Sequence, residues 1–357
     1  MATKKKSNLR YILGICVAVG LLVGGLFVGG YLSLIMFGEN IYCKSGQEKM
    51  YTTVATGSSV DDIAENLDLV FNVKHPMGFR LVAKILDLEH HIYPGLYELQ
   101  NGMSAFEAVR LFRSGKRATV RLSITNARHY EEVLELASEK LEAKYDDLIS
   151  LTDNRQFMDS LGFNKANTIC LFLPDTYEFY WNTSARQFLE KMAKEYNNYW
   201  NENRKNKAKS IGLTPQKVMT LASIVDQETR HNDEKPRIAG VYMNRLNGTA
   251  TGGKLQADPT IKFALNDFEI KRIRKGHIER AKSSPYSTYE HAGLPPGPIC
   301  IPSKAAIEAV LNYERSNFYY FCAQPNYSGY SNFASTFEQH RKNAVEYQKW
   351  LTSEGFN

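Results

Sequence analysis

The sequence predicts an α+β protein: an N-terminal transmembrane helix, a small α+β module and a larger α+β domain. Three observations carry this. Tyr11 to Phe37 contains no charged side chain, the next 70 or so residues repeat a strand–turn–helix pattern, and the remainder shows helical apolar stripes separated by stiff Pro- and Gly-containing loops. A chain of 357 residues with 43% apolar and 23% charged side chains has enough apolar content to build folded cores, and its length suits more than one domain.

The basic start comes first, at residues 1–10. Lys4, Lys5, Lys6 and Arg10 supply four of the six net positive charges, which leaves the remainder at +2. A body so nearly neutral lacks the electrostatic footprint of phosphate binding, so no nucleic-acid partner is expected. The apolar run 11–37 is long enough to cross a bilayer as a helix and has no small-residue cleavage site after it, so it reads as an uncleaved anchor. Cations before the run and almost none just after it place the N-terminus in the cytoplasm and the body outside. Gly20-x-x-x-Gly24 and Gly25-x-x-x-Gly29 fit a helix-packing face, and equally the general abundance of Gly in membrane helices.

Segment 44–117 follows. Tyr51–Ala55 reads as a strand, Gly57 as a turn, and Ser59-x-x-Asp62 as a capping box ahead of Ile63, Ala64 and Leu67. The order recurs as Tyr97–Leu99, Gly102 and Ser104-x-x-Glu107, with Gly115 closing the second helix. This segment resembles the LysM-like domains that hold peptidoglycan sugars; a spacer between membrane and body would look the same.

From 118 the chain opens with the alternating strand Thr119–Ile124, then helices near 130–143 and 184–200. The cationic run Asn201–Lys209 reads as a solvated face or linker. Thr214-Pro215 starts a helix whose Val218, Leu221, Ala222 and Val225 form a buried stripe. Glu228 falls on the same side as that stripe. It is either a carboxylate with raised pKa, suited to general acid catalysis, or a helix-end Glu turned to solvent or paired with an Arg. Asp226 points away from it and reads as structural or at a rim. A second helix, about 234–246, is expected with Asn232 or Asp233 as cap and Gly248 as stop, presenting Ile238, Val241, Tyr242 and Arg245. Lys254–Thr260 is a polar turn in which Asp258 is a recognition group or a plain turn residue. Ser284–Tyr289 and Gly293–Ile299 are rigid loops, connectors or sugar contacts.

The cysteines Cys43, Cys170, Cys300 and Cys322 lack metal-like spacing, and an exported compartment would permit disulfides among them. His90-His91 is the only close His pair, and His75, His129, His231, His277, His291 and His340 have no ligand-spaced partner, so neither metal nor cofactor is expected.

These motifs together resemble the membrane-bound endolytic murein transglycosylases, also called YceG-like proteins. The matching stretches are Leu173–Phe179, Leu221–Thr229, Val241–Leu246, Leu255–Thr260, Ser284–Tyr289, Gly293–Ile299 and Glu338-Gln339-His340. The resemblance implies a YceG-like catalytic domain over 118–357, with Glu228 as acid and then base. Arg245, Gln256, Asp258, Tyr286, Ser287, Tyr289 and His340 would bind or support substrate. The bond cleaved would join N-acetylmuramic acid to N-acetylglucosamine, leaving 1,6-anhydro ends and needing one carboxyl group. Peptidoglycan strands are the implied partner, with peptidoglycan synthases beside them, and the absence of a long cytoplasmic extension favours a periplasm. The chain departs from the family at Asp226 (often Glu), Ser287 (often Asn), Ala257 (often Thr) and Thr125-Asn126 (often Glu-Gly). Competing readings are a hydrolytic muramidase, with Asp258 as base, and a non-catalytic glycan-binding scaffold.

Overall fold

The computed structural model describes residues 2–44, 46–248 and 250–355, without the side chains of 2–10. The charges of the basic tail expected over 1–10 therefore lie outside the described residues, as do the last two positions of the 118–357 segment. The protein is mixed α and β and divides into two compact units, 1–120 with 178–183, and 121–177 with 184–357.

The first unit begins with α1 (Ala2–Phe37), whose stretch Tyr11–Phe37 is long and apolar enough to cross a membrane. It continues through β1 (Glu39–Cys43), β2 (Lys49–Val54), α2 (Val60–Val70), β3 (Phe71–Val73), α3 (Pro76–Ile85), β4 (Gly95–Gln100), β5 (Met103–Ser104) and α4 (Ala105–Ser114). Both capping boxes form as the sequence dictates: Ser59 and Ser104 each accept the backbone N–H three residues on, while Asp62 and Glu107 reach back. Gly115 closes α4 at φ +66, where a side chain would be strained. The two strand–turn–helix units are not separate, however. Their strands β2 and β4 pair antiparallel along six positions, and α3, which the sequence did not announce, lies between them in the chain. A second sheet, ordered β3-β1-β5, completes the unit. Tyr97, Phe79 and Phe112 meet edge-on in its core. Gly78 of α3 lies so close to α1 that a Cβ there would come within 2.4 Å of the Ile35 carbonyl oxygen.

The second unit contains α5 (Tyr130–Lys140), α6 (Tyr145–Asp153), α7 (Arg155–Leu161), α8 (Ala185–Tyr199), α9 (Glu202–Ser210), α10 (Pro215–Glu228), α11 (Lys235–Asn247), α12 (Asp258–Leu265), α13 (Lys275–Arg280) and α14 (Lys304–Leu311). The hairpin β8 (Tyr320–Ala323) and β9 (Ser331–Ala334) and helix α15 (Phe337–Ser353) end it. Two further strands, Thr119–Ile124 (β6) and Asp175–Tyr180 (β7), form a pair. The spine is α10. Thr214 caps it, and every residue from Val218 to Val225 is buried, packed by α11 and α14. Each large aliphatic side chain in that stripe contributes about 1.5–3 kcal/mol.

One local expectation is corrected and two are made more specific. Helix α11 starts after Glu234 without a side-chain cap. Asn232 instead accepts from Lys235 Nζ (2.7 Å), and Asp233 accepts from the Tyr330 hydroxyl (3.0 Å). Gly248 does end α11, but at φ −99, and its need for glycine is crowding by the Asn244 carbonyl and Tyr319. Of its two readings the cationic run takes the solvated face and not the linker: it forms α9, of which only Ala208 is buried, with Arg204 paired to Glu308 at 2.6 Å. All five cysteines are free thiols, with Cys43, Cys170 and Cys300 buried.

Candidate active site

At the C-terminal end of α10 the second unit opens into a cleft of about 500 Å³. Six sequence-predicted residues converge there: Glu228, Arg245, Gln256, Asp258, Tyr289 and His340.

Glu228 is half-buried, and its carboxyl Oε1 accepts a short hydrogen bond, 2.5 Å, from the Tyr242 hydroxyl. Removal from water dominates its proton affinity and pushes the pKa up to about 7; the nearby Asp258 charge adds to the rise, while Tyr242, Arg245 and Lys262 oppose it. Of the two alternatives for this Glu, the solvent-facing or Arg-paired one does not hold. Asp226, on the other side of the helix, has the opposite fate. It forms a buried ion pair with Lys235 (2.7 Å) and accepts from Ser303 through both its backbone N–H (2.9 Å) and hydroxyl (2.7 Å). One turn of α10 thus carries a carboxylate tied into the fold and another offered to the cleft.

Tyr242 and Arg245 stand three residues apart on α11, so they share a face. Tyr242 is fully buried, and burial beside Glu228 pushes its phenol well above its ordinary range, so it stays a donor. Arg245 spends its guanidinium on backbone: Nε donates to the Tyr319 carbonyl (2.7 Å) and an Nη to that of Leu255 (2.5 Å). It therefore fixes the approach of the 254–258 loop. In that loop Gln256 adopts φ +53, a left-handed conformation costly for a side chain, held because its N–H donates to the Thr288 carbonyl (3.0 Å). The Thr288 hydroxyl accepts from the Ala257 N–H (3.0 Å) and meets Thr260 at 2.8 Å. Asp258, the first residue of α12, accepts from the Tyr289 hydroxyl at 2.6 Å. Its turn-residue alternative gives way to a helix start.

The opposite wall is aromatic. His340 stacks on Tyr320, centroids 5.3 Å apart, and Phe337 meets Tyr320 edge-on. Burial, reinforced by Arg245, lowers the His340 pKa, so the ring is neutral near pH 7; its Nδ1 is buried without a partner among the described residues. Cys322 also lines the cleft, partly buried, with its thiol pKa raised by burial.

Two expected residues are elsewhere. Ser287 has no exposed surface, its hydroxyl unpartnered, and its carbonyl accepts from the Glu290 and His291 N–H groups. It shapes the turn that presents Thr288 and Tyr289. Tyr286 packs on Phe263 (4.7 Å) in a separate cavity of about 130 Å³. Both swing away because successive residues of a tight turn cannot all face one cleft. Sequence reasoning missed the Tyr242 hydroxyl, which sits in the quoted Val241–Leu246 motif but reads as part of the apolar face. It also missed Tyr320, Phe321 and Phe337, for which no periodic signal exists. Among the described residues, no three His, Cys, Asp or Glu side chains gather as a metal site.

Comparison with known proteins agrees with this architecture. A profile of the YceG-like family matches residues 52–346. The chain is 26% identical over 343 residues to the endolytic murein transglycosylase of Bacillus subtilis, spanning 92% of this chain and 91% of that one. It is 25% identical over 356 residues to the endolytic murein transglycosylase of Streptococcus pneumoniae D39, where it covers 90% of this chain but 63% of the relative's length. A solved structure of a YceG-like protein from Listeria monocytogenes superposes with a TM-score of 0.55 at 27% identity, covering 83% of this chain and 98% of that one.

Proposed function

Since the chain belongs to the YceG-like family, we propose that it is an endolytic murein transglycosylase, cutting between N-acetylmuramic acid and N-acetylglucosamine inside glycan strands. The observation that carries the reading is Glu228: one carboxyl group at the head of a cleft, its pKa pushed up to about 7, hydrogen-bonded to a buried phenol. Such a group is protonated often enough near neutral pH to act as an acid, and is a competent base once it has given up the proton.

Protonated Glu228 gives its proton to the glycosidic oxygen as the bond from muramic C1 breaks and positive charge develops on the ring. The ionised carboxylate then takes the proton of the muramic C6 hydroxyl, whose oxygen bonds to C1. Atoms balance without water, and Glu228 ends as it began. The tethered hydroxyl brings the proximity advantage of an intramolecular nucleophile, so a second carboxylate is not required. Tyr242 donates to Oε1 and so leaves Oε2 to carry the mobile proton. Arg245 acts through the backbone it holds. Gln256, Asp258, Tyr289 and the Tyr320–Phe337–His340 wall contact sugar, the flat rings suiting the apolar face of a pyranose.

Asp258 in the same cleft supports a second reading, a muramidase in which it activates water. Segment 44–117 serves in our reading as a LysM-like glycan contact, supported by two helices, α2 and α3, lying in the chain between the paired strands β2 and β4, with the short β3 between the helices. Residues 11–37 anchor the chain in the cytoplasmic membrane with the N-terminus inside, which places cleavage near nascent strands and beside peptidoglycan synthases. The test is mass spectrometry of isolated glycan strands incubated with the full chain in detergent, wild type against Glu228→Gln. Internal fragments with anhydro ends, one water lighter than hydrolysed ends and absent with the variant, support the proposal. Hydrated ends transfer it to the muramidase, and binding without cleavage transfers it to the scaffold.

A further inference from the structure

One residue before Glu228 on α10, Gln227 opens onto a different, smaller cavity of about 70 Å³, walled also by Arg128, Pro259, Lys262, Phe263 and Phe268. Its lining holds two cations and no acid. The Arg128 guanidinium lies 3.8 Å above the centre of the Phe268 ring. Neither it nor the Lys262 ammonium has a hydrogen-bond or ion-pair partner among the described residues.

Three of the nearby carboxylates are already bonded elsewhere. Glu132 Oε1 accepts from the backbone N–H groups of Arg128 (2.9 Å) and His129 (2.8 Å). Asp226 is paired with Lys235, and Asp258 is bonded by Tyr289. Arg128 also lines the adjoining 130 Å³ cavity, where Glu131 lies with Lys165 and His129, but no ion pair joins Arg128 to Glu131 among the described residues. Two unpaired cations sharing one small wall repel each other, and a single anion between them removes that cost and gains charge-assisted hydrogen bonds. Guanidinium is the group suited to a carboxylate, since its planar fork can donate two parallel bonds. The place is also close to the chemistry: Pro259 follows Asp258, and the Lys262 charge is felt at Glu228.

We propose that this cavity is a carboxylate subsite that receives the acidic 3-O-substituent of the muramic residue bound at Glu228. This rests on the glycan reading above. The carboxylate sits between Arg128 and Lys262, and Phe263 and Phe268 cover the short apolar link to the sugar. The same chemistry has two sources, the lactyl carboxylate of a bare strand and a carboxylate of an attached stem peptide.

The experiment measures binding to the full chain in detergent carrying Glu228→Gln, so that ligand survives, with and without Arg128→Gln. Three glycan preparations are compared: peptide-bearing strands, bare strands with free lactyl carboxylates, and bare strands with those carboxylates converted to methylamides. The expected result is binding about tenfold weaker for the amidated strands. Arg128→Gln removes that discrimination, Arg128→Lys restores part of it, and Lys262→Gln reduces it independently. Preference for peptide-bearing over bare strands identifies the peptide as source, and equal binding of the two identifies the lactyl group. Equal affinity for free and amidated carboxylates, or discrimination unchanged by both Arg128→Gln and Lys262→Gln, overturns the subsite. Cleavage by the wild type is scored separately: discrimination without cleavage retains the subsite and rejects the transglycosylase.

Discussion

Replacing Tyr242 with Phe removes one hydroxyl and almost nothing else, because the ring stays in its buried place against Phe321. What is lost is the 2.5 Å donation to Glu228 Oε1. A hydrogen bond to a charged group contributes roughly 1.5–3 kcal/mol, and one pKa unit corresponds to about 1.4 kcal/mol. The donor favours the carboxylate, so its loss favours the acid. From about 7 in the wild type, the Glu228 pKa therefore rises by about 1–2 units in Tyr242→Phe. Two consequences separate this from a packing defect. The alkaline limb of the pH–rate profile moves up by the same amount, because the variant keeps its proton longer. At the acid end, where both forms are protonated, kcat falls by about tenfold or more, since the departing proton leaves a less stabilised carboxylate. The assay is release of anhydro ends by the full chain in detergent between about pH 5 and pH 9, alongside carboxyl-carbon NMR with Glu228→Gln to assign the signal. A Glu228 midpoint that stays put or moves down refutes the reasoning, whatever happens to the rate.

Three further outcomes follow from the same structure. The folded pKa of Glu228, about 7, lies above its ordinary 4.5, so the wild type has full stability below 4.5 and loses it as pH rises through 7. Glu228→Gln should thus raise the unfolding free energy at about pH 8 by an amount on the order of 3 kcal/mol, read as a higher Tm, and leave it nearly unchanged at about pH 4. Lys235→Met strands the buried Asp226 charge on its Ser303 bonds alone and should cost about 3 kcal/mol in urea unfolding; no loss would mean the pair is dispensable. In Gly240→Ala the new methyl carbon would stand 2.2 Å from the Glu314 carbonyl oxygen. Thermal unfolding should register about 2 kcal/mol of destabilisation from the forced separation of α11 from that carbonyl.

What the sequence disclosed was local and periodic. Ser59 with Asp62 and Ser104 with Glu107 announce helix starts because a cap is a contact three residues long. The stripe from Val218 to Val225 announces its own burial, and with it the anomaly of Glu228. What stayed hidden depends on partners far away in the chain. Nothing in Lys49–Val54 states that it pairs with Gly95–Gln100, and nothing in Phe337 states that it faces Glu228 across a cleft. Tyr242 was legible as an apolar surface but not as a donor, because periodicity sees the ring and not what the hydroxyl meets. Tyr286 and Ser287 show the reverse: a motif keeps residues together that the turn then points in different directions.

Cys322 gives the cleft a chemical handle for inhibitor design. It is a free thiol on the wall facing a carboxyl group that any useful ligand would address. Because burial keeps the sulfur protonated, indiscriminate alkylators should label it slowly. A sugar mimic carrying a mild acrylamide would bring its electrophile to the sulfur by affinity first, so selectivity would come from residence in the cleft and permanence from the bond.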